Sequence, residues 1–378
     1  MNLLLGMDAV YSMKTPLYEE HLKLGARMTT FAEWEMPLQY SSIVDEVRAV
    51  RTAAGIFDLS HMGELIIKGA EATSFLQLMT TNDVSSLRIG DAQYTLLCNE
   101  KGGILDDLIL YRQDSDRYML VTNAVNRNSD FNWLKNWLRE RLTMSVTISD
   151  ESANISLIAV QGPCSAYLLE GITNLDIHKL RRYTACQGYV GNVSCWIART
   201  GYTGEDGFEL FCSTTEVINL WHTLVQQGTH YGALPAGIGA RDVLRIEAGY
   251  PLYDHELNSS ITPVEARLLR PVKWSKPSFI GKEAILARHR EGPQKILVGL
   301  EALERCVPRE SYKVISEGSI VGNVTSGTFS PTLGRGIALA YVEPAHSAND
   351  TLLHVEIRNK LCLCRTVPLP FYRKSQPN

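Results

Sequence analysis

Three stretches of this sequence carry polar residues that packing alone does not explain. The first is Gly102-Gly103-Ile104-Leu105-Asp106-Asp107-Leu108-Ile109-Leu110-Tyr111, where two adjacent carboxylates interrupt an apolar run. A buried charge costs several kcal/mol unless it is paired. Strand alternation sends neighbours to opposite faces, so one aspartate is expected at solvent or a domain interface and the other in a cavity. A carboxylate in a cavity is a candidate catalytic group. The competing explanation is a pair of edge-strand charges that deter aggregation.

The second stretch is Gly201-Tyr202-Thr203-Gly204-Glu205-Asp206-Gly207-Phe208-Glu209, in which Glu209 enters a strand just past a glycine-rich turn. A single carboxylate accepts both N–H groups of a guanidine-like heterocycle in a fork; an acidic surface hairpin would explain the same residues. In the third, Gly237-Ile238-Gly239-Ala240-Arg241-Asp242-Val243-Leu244-Arg245-Ile246-Glu247, glycines precede a helix whose first-turn N–H groups favour anions. Arg241 is a candidate for a ligand carboxylate, unless the charges only lace the helix with ion pairs. A third glycine at dinucleotide-binding spacing is missing, and no Ser-His-Asp order, HExxH, Walker A or CxxC motif occurs. His61, in Asp58-Leu59-Ser60-His61-Met62, reads as a hydrogen-bonded structural histidine, and Met62 as core.

Stepping outward, the elements around Asp107 form one unit. Strands are expected at residues 64–68, 94–98, 104–111, 118–122 and 145–148, with helices through Phe75 and Leu76 and through Phe131, Leu134 and Leu138. A second block starts with a strand from residue 155, and its strands 193–199 and 208–212 flank the glycine turn, which should need positive φ angles. Helices follow at 216–227 and 240–247. Beyond residue 281 short strands at 295–300, 320–325, 337–342 and 352–357 suggest a barrel or jelly roll.

The chain has 378 residues, 45% of them hydrophobic, enough for two or three domains. Its net charge of -4 supplies no field for nucleic acid or an anionic membrane. No apolar run is long enough to span a bilayer, and residues 1–13 lack a basic residue, so a cytoplasmic protein is expected. The eight cysteines are scattered and are expected to be reduced core thiols, Cys362 and Cys364 sharing one strand face.

Together these segments resemble the glycine cleavage T-protein family nearly end to end. The resemblance runs through Thr15-Pro16-Leu17-Tyr18, Gly55-Ile56-Phe57-Asp58-Leu59-Ser60-His61-Met62, the three stretches above, Phe279-Ile280-Gly281-Lys282 and Thr325-Ser326-Gly327-Thr328-Phe329-Ser330-Pro331. It implies an α+β fold, a three-domain clover with two mainly antiparallel α/β-sheet domains and a C-terminal β-barrel or jelly roll. The implied division is an extension at 1–14, a discontinuous folate-binding domain at 15–58 and 152–270, an inserted domain at 59–151 carrying the catalytic aspartate, and a β domain at 285–378.

The resemblance also implies an activity: transfer of the methylene carbon of an aminomethyl group, carried on the lipoyl arm of H-protein, to tetrahydrofolate, with release of ammonia and without a metal. The catalytic aspartate of the family falls on Asp107 and its pterin-gripping glutamate on Glu209. Its other folate contacts fall on Arg241, Asn123, Tyr202, Met62, Tyr94 and Tyr372. A monomer is expected, with no nucleic acid or membrane partner. The family pattern Pro-x-Glu-Ala-Gly-Leu-Gly-Trp is replaced here by Pro263-Val264-Glu265-Ala266-Arg267-Leu268-Leu269-Arg270, so Arg267 and Leu269 stand where glycines are common. Two alternatives follow, a folate-dependent demethylase of the same superfamily and a non-enzymatic folate-binding accessory protein. The second has a Lys-Gly-Cys-Tyr-x-Gly-Gln signature that Lys276-Pro277-Ser278-Phe279-Ile280-Gly281-Lys282 lacks.

Overall fold

The computed structural model describes residues 12–141 and 143–374, and the expected extension at 1–14 lies mostly outside them. Two sheets face each other across the middle of the molecule. One has five antiparallel strands in the order Ala92–Cys98, Ile104–Arg112, Arg117–Thr122, Gly63–Lys68 and Thr147–Asp150. The other has six, in the order Ala185–Val190, Val193–Ala198, Gly207–Ser213, Ile155–Gln161, Gly55–Asp58 and Leu234–Pro235, antiparallel apart from the last pair. Ile66, Tyr111, Met119 and Val121 of the first sheet pack against Leu157, Ala159 and Phe211 of the second, together with Ala240, Val243 and Leu244 of helix Ile238–Glu247.

Each outer face is closed by helices whose apolar residues recur at helical spacing. Leu220, Trp221 and Leu224 of helix Val217–Gly228 cover the six-stranded sheet. Phe75, Leu76 and Met79 of helix Ala72–Met79, with Leu134 of helix Arg127–Arg141, cover the five-stranded one. Residues 94–98, 104–111 and 118–122 are strands as expected, whereas the closing strand is Thr147–Asp150, two residues later than the apolar pattern places it.

A closed six-stranded barrel forms the C-terminal part, ordered Ile296–Ala302, Arg335–Val342, Ser319–Ser330, Lys313–Ser316, Leu352–Ile357 and Lys360–Val367. Lys313–Ser316 is additional to the strands read from the sequence, and Lys360–Val367 contains the strand expected around Cys362 and Cys364. Cys362 and Cys364 share the inner face. The expectation that all cysteines are reduced does not hold, because Cys306 is disulfide-bonded to Cys362.

The barrel is pinned to the helix that carries Arg241. Buried Arg245 donates through Nη1 to Glu256 Oε2 at 2.7 Å and through Nη2 to Ser326 Oγ at 2.7 Å, while Glu247 accepts from Arg51 Nη2 at 2.7 Å and from Thr332 Oγ1 at 2.9 Å. Within the helix the ion-pair reading holds for Arg245 with Asp242, at 2.8 Å, whereas Glu247 pairs outside it, with Arg51. The glycine turn differs from expectation in its reason. Only Gly204 has a positive φ, +80°, whereas a Cβ on Gly201 or Gly207 would come within 2.0 or 2.4 Å of the Gln161 side chain, so those two glycines serve close approach.

Candidate functional site

A cavity of about 300 Å³ opens between the two sheets, and seven of the eight residues singled out above line it: Met62, Tyr94, Asp107, Asn123, Tyr202, Glu209 and Arg241. Tyr372 does not reach it. Its ring lies 4.0 Å from the Arg51 guanidinium and its backbone N–H donates to Glu247 O at 2.8 Å, on the barrel side of the helix.

The Asp106-Asp107 pair sits in an interior strand, so edge protection is not its purpose. Alternation holds, but neither aspartate faces open solvent. Asp106 is fully buried and Asp107 lines the cavity. Asp107 Oδ2 accepts the Tyr94 hydroxyl at 3.0 Å, and Oδ1 accepts Asn123 Nδ2 at 2.9 Å. The same amide nitrogen donates to Asp106 Oδ1 at 2.7 Å, so Asn123 joins the two carboxyls. Burial, reinforced by the neighbouring Asp106 charge, raises the Asp107 carboxyl to about 7. A group poised there exchanges protons near neutrality.

Across the cavity, Glu209 occupies strand Gly207–Ser213. Its Oε2 accepts the Tyr111 hydroxyl at 3.1 Å and also the Thr200 hydroxyl, and no described residue donates to Oε1. One carboxylate oxygen is thus anchored and the other left to a ligand donor. Arg241 pairs with no carboxylate among the described residues; its guanidinium lies 4.7 Å from the Tyr202 ring centroid. Tyr202 is fixed in turn by donating to Pro251 O and by stacking on Tyr250, ring centroids 5.6 Å apart. Anionic, cationic and aromatic surfaces therefore surround a space suited to a flat heterocycle with an acidic tail.

Met62, Asn123, Arg241 and Leu252 also line a second cavity, bounded by Phe31, His61, Val125 and Tyr253. The two spaces meet at these four residues, one of which, Asn123, is hydrogen-bonded to Asp107. His61 is buried, its Nδ1 has no hydrogen-bond partner, and desolvation lowers its pKa to about 4, so the ring is neutral at physiological pH. The expectation of a hydrogen-bonded structural histidine is not met at that atom.

Sequence reasoning did not single out Tyr111, Thr200, Asn126 or Asp130. Tyr111 lies four residues beyond Asp107 on one strand, and alternation puts both on the same face, a signal that was there to be used. Arg267 and Leu268 line the first cavity, together with Arg270, whereas Leu269 packs among apolar residues beside Val272 and Phe279. Of the two departures from the glycine pattern, only Arg267 borders the cavity.

Residues 17–276 match the family described as GCVT N-terminal domain, and residues 295–373 match the glycine cleavage T-protein C-terminal barrel domain. The chain belongs to the glycine cleavage T-protein family. It is 47% identical to the aminomethyltransferase of Symbiobacterium thermophilum over 365 residues, covering 95% of this chain and 97% of that one. Identity to the Bacillus subtilis aminomethyltransferase is 43%, covering 96% and 99%. The crystal structure of glycine cleavage system aminomethyltransferase T from Bartonella henselae superposes with a TM-score of 0.89 at 34% identity, over 96% of this chain and 98% of that one. The T-protein chain described here is an enzyme, an aminomethyltransferase of glycine cleavage. No helix among its described residues is long and apolar enough to cross a membrane.

Proposed function

We propose that tetrahydrofolate is the one-carbon acceptor in the first cavity and that the aminomethylated lipoyl arm of H-protein reaches it through the second. The observation that carries this reading is the convergence of Asp107, Glu209 and Arg241, from three distant segments, on one cavity. The residues fit the acceptor. Glu209 Oε1, to which no described residue donates, is left to accept an N–H of a pterin, and the Tyr202 and Tyr94 rings match its faces. Arg241 supplies the counter-charge for the acidic tail.

The reaction forms two carbon–nitrogen bonds to the acceptor and breaks the carbon–sulfur and carbon–amine bonds of the donor. The two acceptor N–H protons end on the departing thiol and on ammonia. Ionised Asp107 holds the acceptor amine by its N–H and stabilises positive charge developing on that nitrogen. Tyr94 and Asn123 fix both oxygens of Asp107, so no reorganisation is needed as the charge appears. The reading includes the division at 15–58 with 152–270, 59–151 and 285–378, and a cytoplasmic monomer.

The test is tetrahydrofolate-dependent ammonia release from purified aminomethylated H-protein, comparing the wild-type chain with Asp107→Asn. Release by the wild type and a loss of about 100-fold or more in the variant are expected. No release above background, or full activity of Asp107→Asn, would overturn the reading.

A further inference from the structure

Beneath Asp107 lies a second pair of carboxyls that the reaction does not touch. Asp106 is 0% exposed and Asp130, in the first turn of helix Arg127–Arg141, is 2% exposed. Neither forms a salt bridge among the described residues; the nearby Arg127 is engaged with Asp150 at 2.7 Å. The two carboxyls are neighbours, each shifting the other. Two neighbouring buried carboxyls without a cation cannot both be ionised at little cost, so the pair is expected to hold a proton.

Their surroundings decide which one carries it. Asp106 accepts Asn123 Nδ2 at 2.7 Å, Asn126 Nδ2 at 2.7 Å and the Asn123 backbone N–H at 3.0 Å, an environment made for an anion. Among the described residues no amide donates to Asp130. Its Oδ2 is buried with no partner among them, and a lone pair is much cheaper to bury on a neutral acid than on a carboxylate. We infer that Asp130 is a permanently protonated carboxylic acid that donates to Asp106, and that it is thereby a positioning residue for Asp107. It holds Asp106 as the anion that orients Asn123, and Asn123 donates to Asp107 Oδ1 at 2.9 Å.

Burial raises both carboxyls. At Asp106 the Asn123 and Asn126 donors work against it, whereas at Asp130 the Asp106 charge adds to it and carries that carboxyl well above the carboxylate range. The titratable groups that act on Asp106 and Asp130 are Asp107, on the strand of Asp106, and Tyr253 in the loop following helix Ile238–Glu247, neither of them a cation; beyond these, Tyr94, Tyr202 and the Arg241 guanidinium line the cavity with Asp107. The device costs stability, and its return is a fixed negative charge next to the group that works on the substrate.

Two measurements test the inference. The first needs no activity. The full-length protein at neutral pH should show the infrared carbonyl stretch of a buried protonated carboxyl, and Asp130→Asn should lose one such band. The second rests on the reaction proposed above and follows turnover against pH. Asp130→Asn keeps a neutral donor, so its turnover should stay within about 3-fold of wild type with the acid limb in place.

Asp130→Leu removes the donor, which lets Asp106 take up the proton. Turnover should then fall about 10- to 100-fold at nearly unchanged KM for tetrahydrofolate, and the acid limb should move down by about one pH unit or more as the charge beside Asp107 disappears. Retention of the band in Asp130→Asn overturns the inference even if no aminomethyl transfer is ever detected. So does an equal loss in the two variants, or an unmoved limb in Asp130→Leu. Should the Leu variant fail to fold, the Asn variant and its spectrum still decide. Absence of ammonia release by wild type with the band present would count against the proposed reaction alone.

Discussion

Tyr111, at the far end of the strand that carries Asp107, donates its hydroxyl proton to Glu209 Oε2 at 3.1 Å, across the gap between the two sheets. The bond sets the spacing between the carboxylate that grips the acceptor and the one that serves the chemistry. Tyr111→Phe removes it while keeping the packed ring. Tetrahydrofolate affinity should weaken about 3- to 10-fold, in line with the roughly 1 kcal/mol of one such bond. Equilibrium binding followed by fluorescence would measure it, and unchanged affinity would show that Thr200 alone holds Glu209.

Glu209→Gln keeps the shape of the grip and leaves one acceptor and one misdirected donor. A hydrogen bond to a charged group contributes about 1.5–3 kcal/mol, so the dissociation constant should rise roughly 10- to 100-fold. Turnover at saturating acceptor should change far less, because the edge of the pterin that Glu209 would grip is not the edge at which the new bonds form. A fall in kcat with affinity intact would move Glu209 into the chemistry.

Asp107 also marks stability with a pH signature. Its pKa in the fold, about 7, is above the ordinary aspartate value of 3.8. The stabilisation linked to this proton is therefore complete below the ordinary value and disappears as the pH rises through about 7. Asp107→Asn does not titrate. It should melt above wild type at pH values beyond 7, and the advantage should shrink towards pH 4. Parallel melting curves for the two proteins across that range would contradict the raised pKa.

Arg267 has φ of +58°, in the region that favours glycine. Arg267→Gly should stabilise the fold by up to about 1 kcal/mol in denaturant titration. It also removes an unpaired cation from the cavity rim, so tetrahydrofolate binding should become less sensitive to salt. If the glycine variant is less stable, the arginine stem contributes packing that outweighs the backbone cost.

The main groups of the site were legible because they break a pattern. Asp107 interrupts an apolar strand, Glu209 follows a turn with too many glycines, and Arg241 opens a helix. Asp130 was not legible, since an acid in the first turn of a helix is what the helix dipole favours anyway, and only its burial shows otherwise. The Cys306–Cys362 bond was hidden for a different reason: its cysteines are 56 residues apart, and the barrel closure that brings them together has no local signature. Tyr372 falls on a matching position as well, and its ring lies on Arg51, outside the residues that line the cavity.

Helix Ile238–Glu247 presents Arg241 to the cavity and is bolted at its other end to the barrel through Arg245 with Ser326 and through Glu247 with Thr332. A lesion in the barrel can therefore masquerade as one in the pocket. Screening of sequence variants at Ser326 or Thr332, which line neither cavity, should score them by acceptor affinity as well as by melting point, because harm done there is delivered at Arg241.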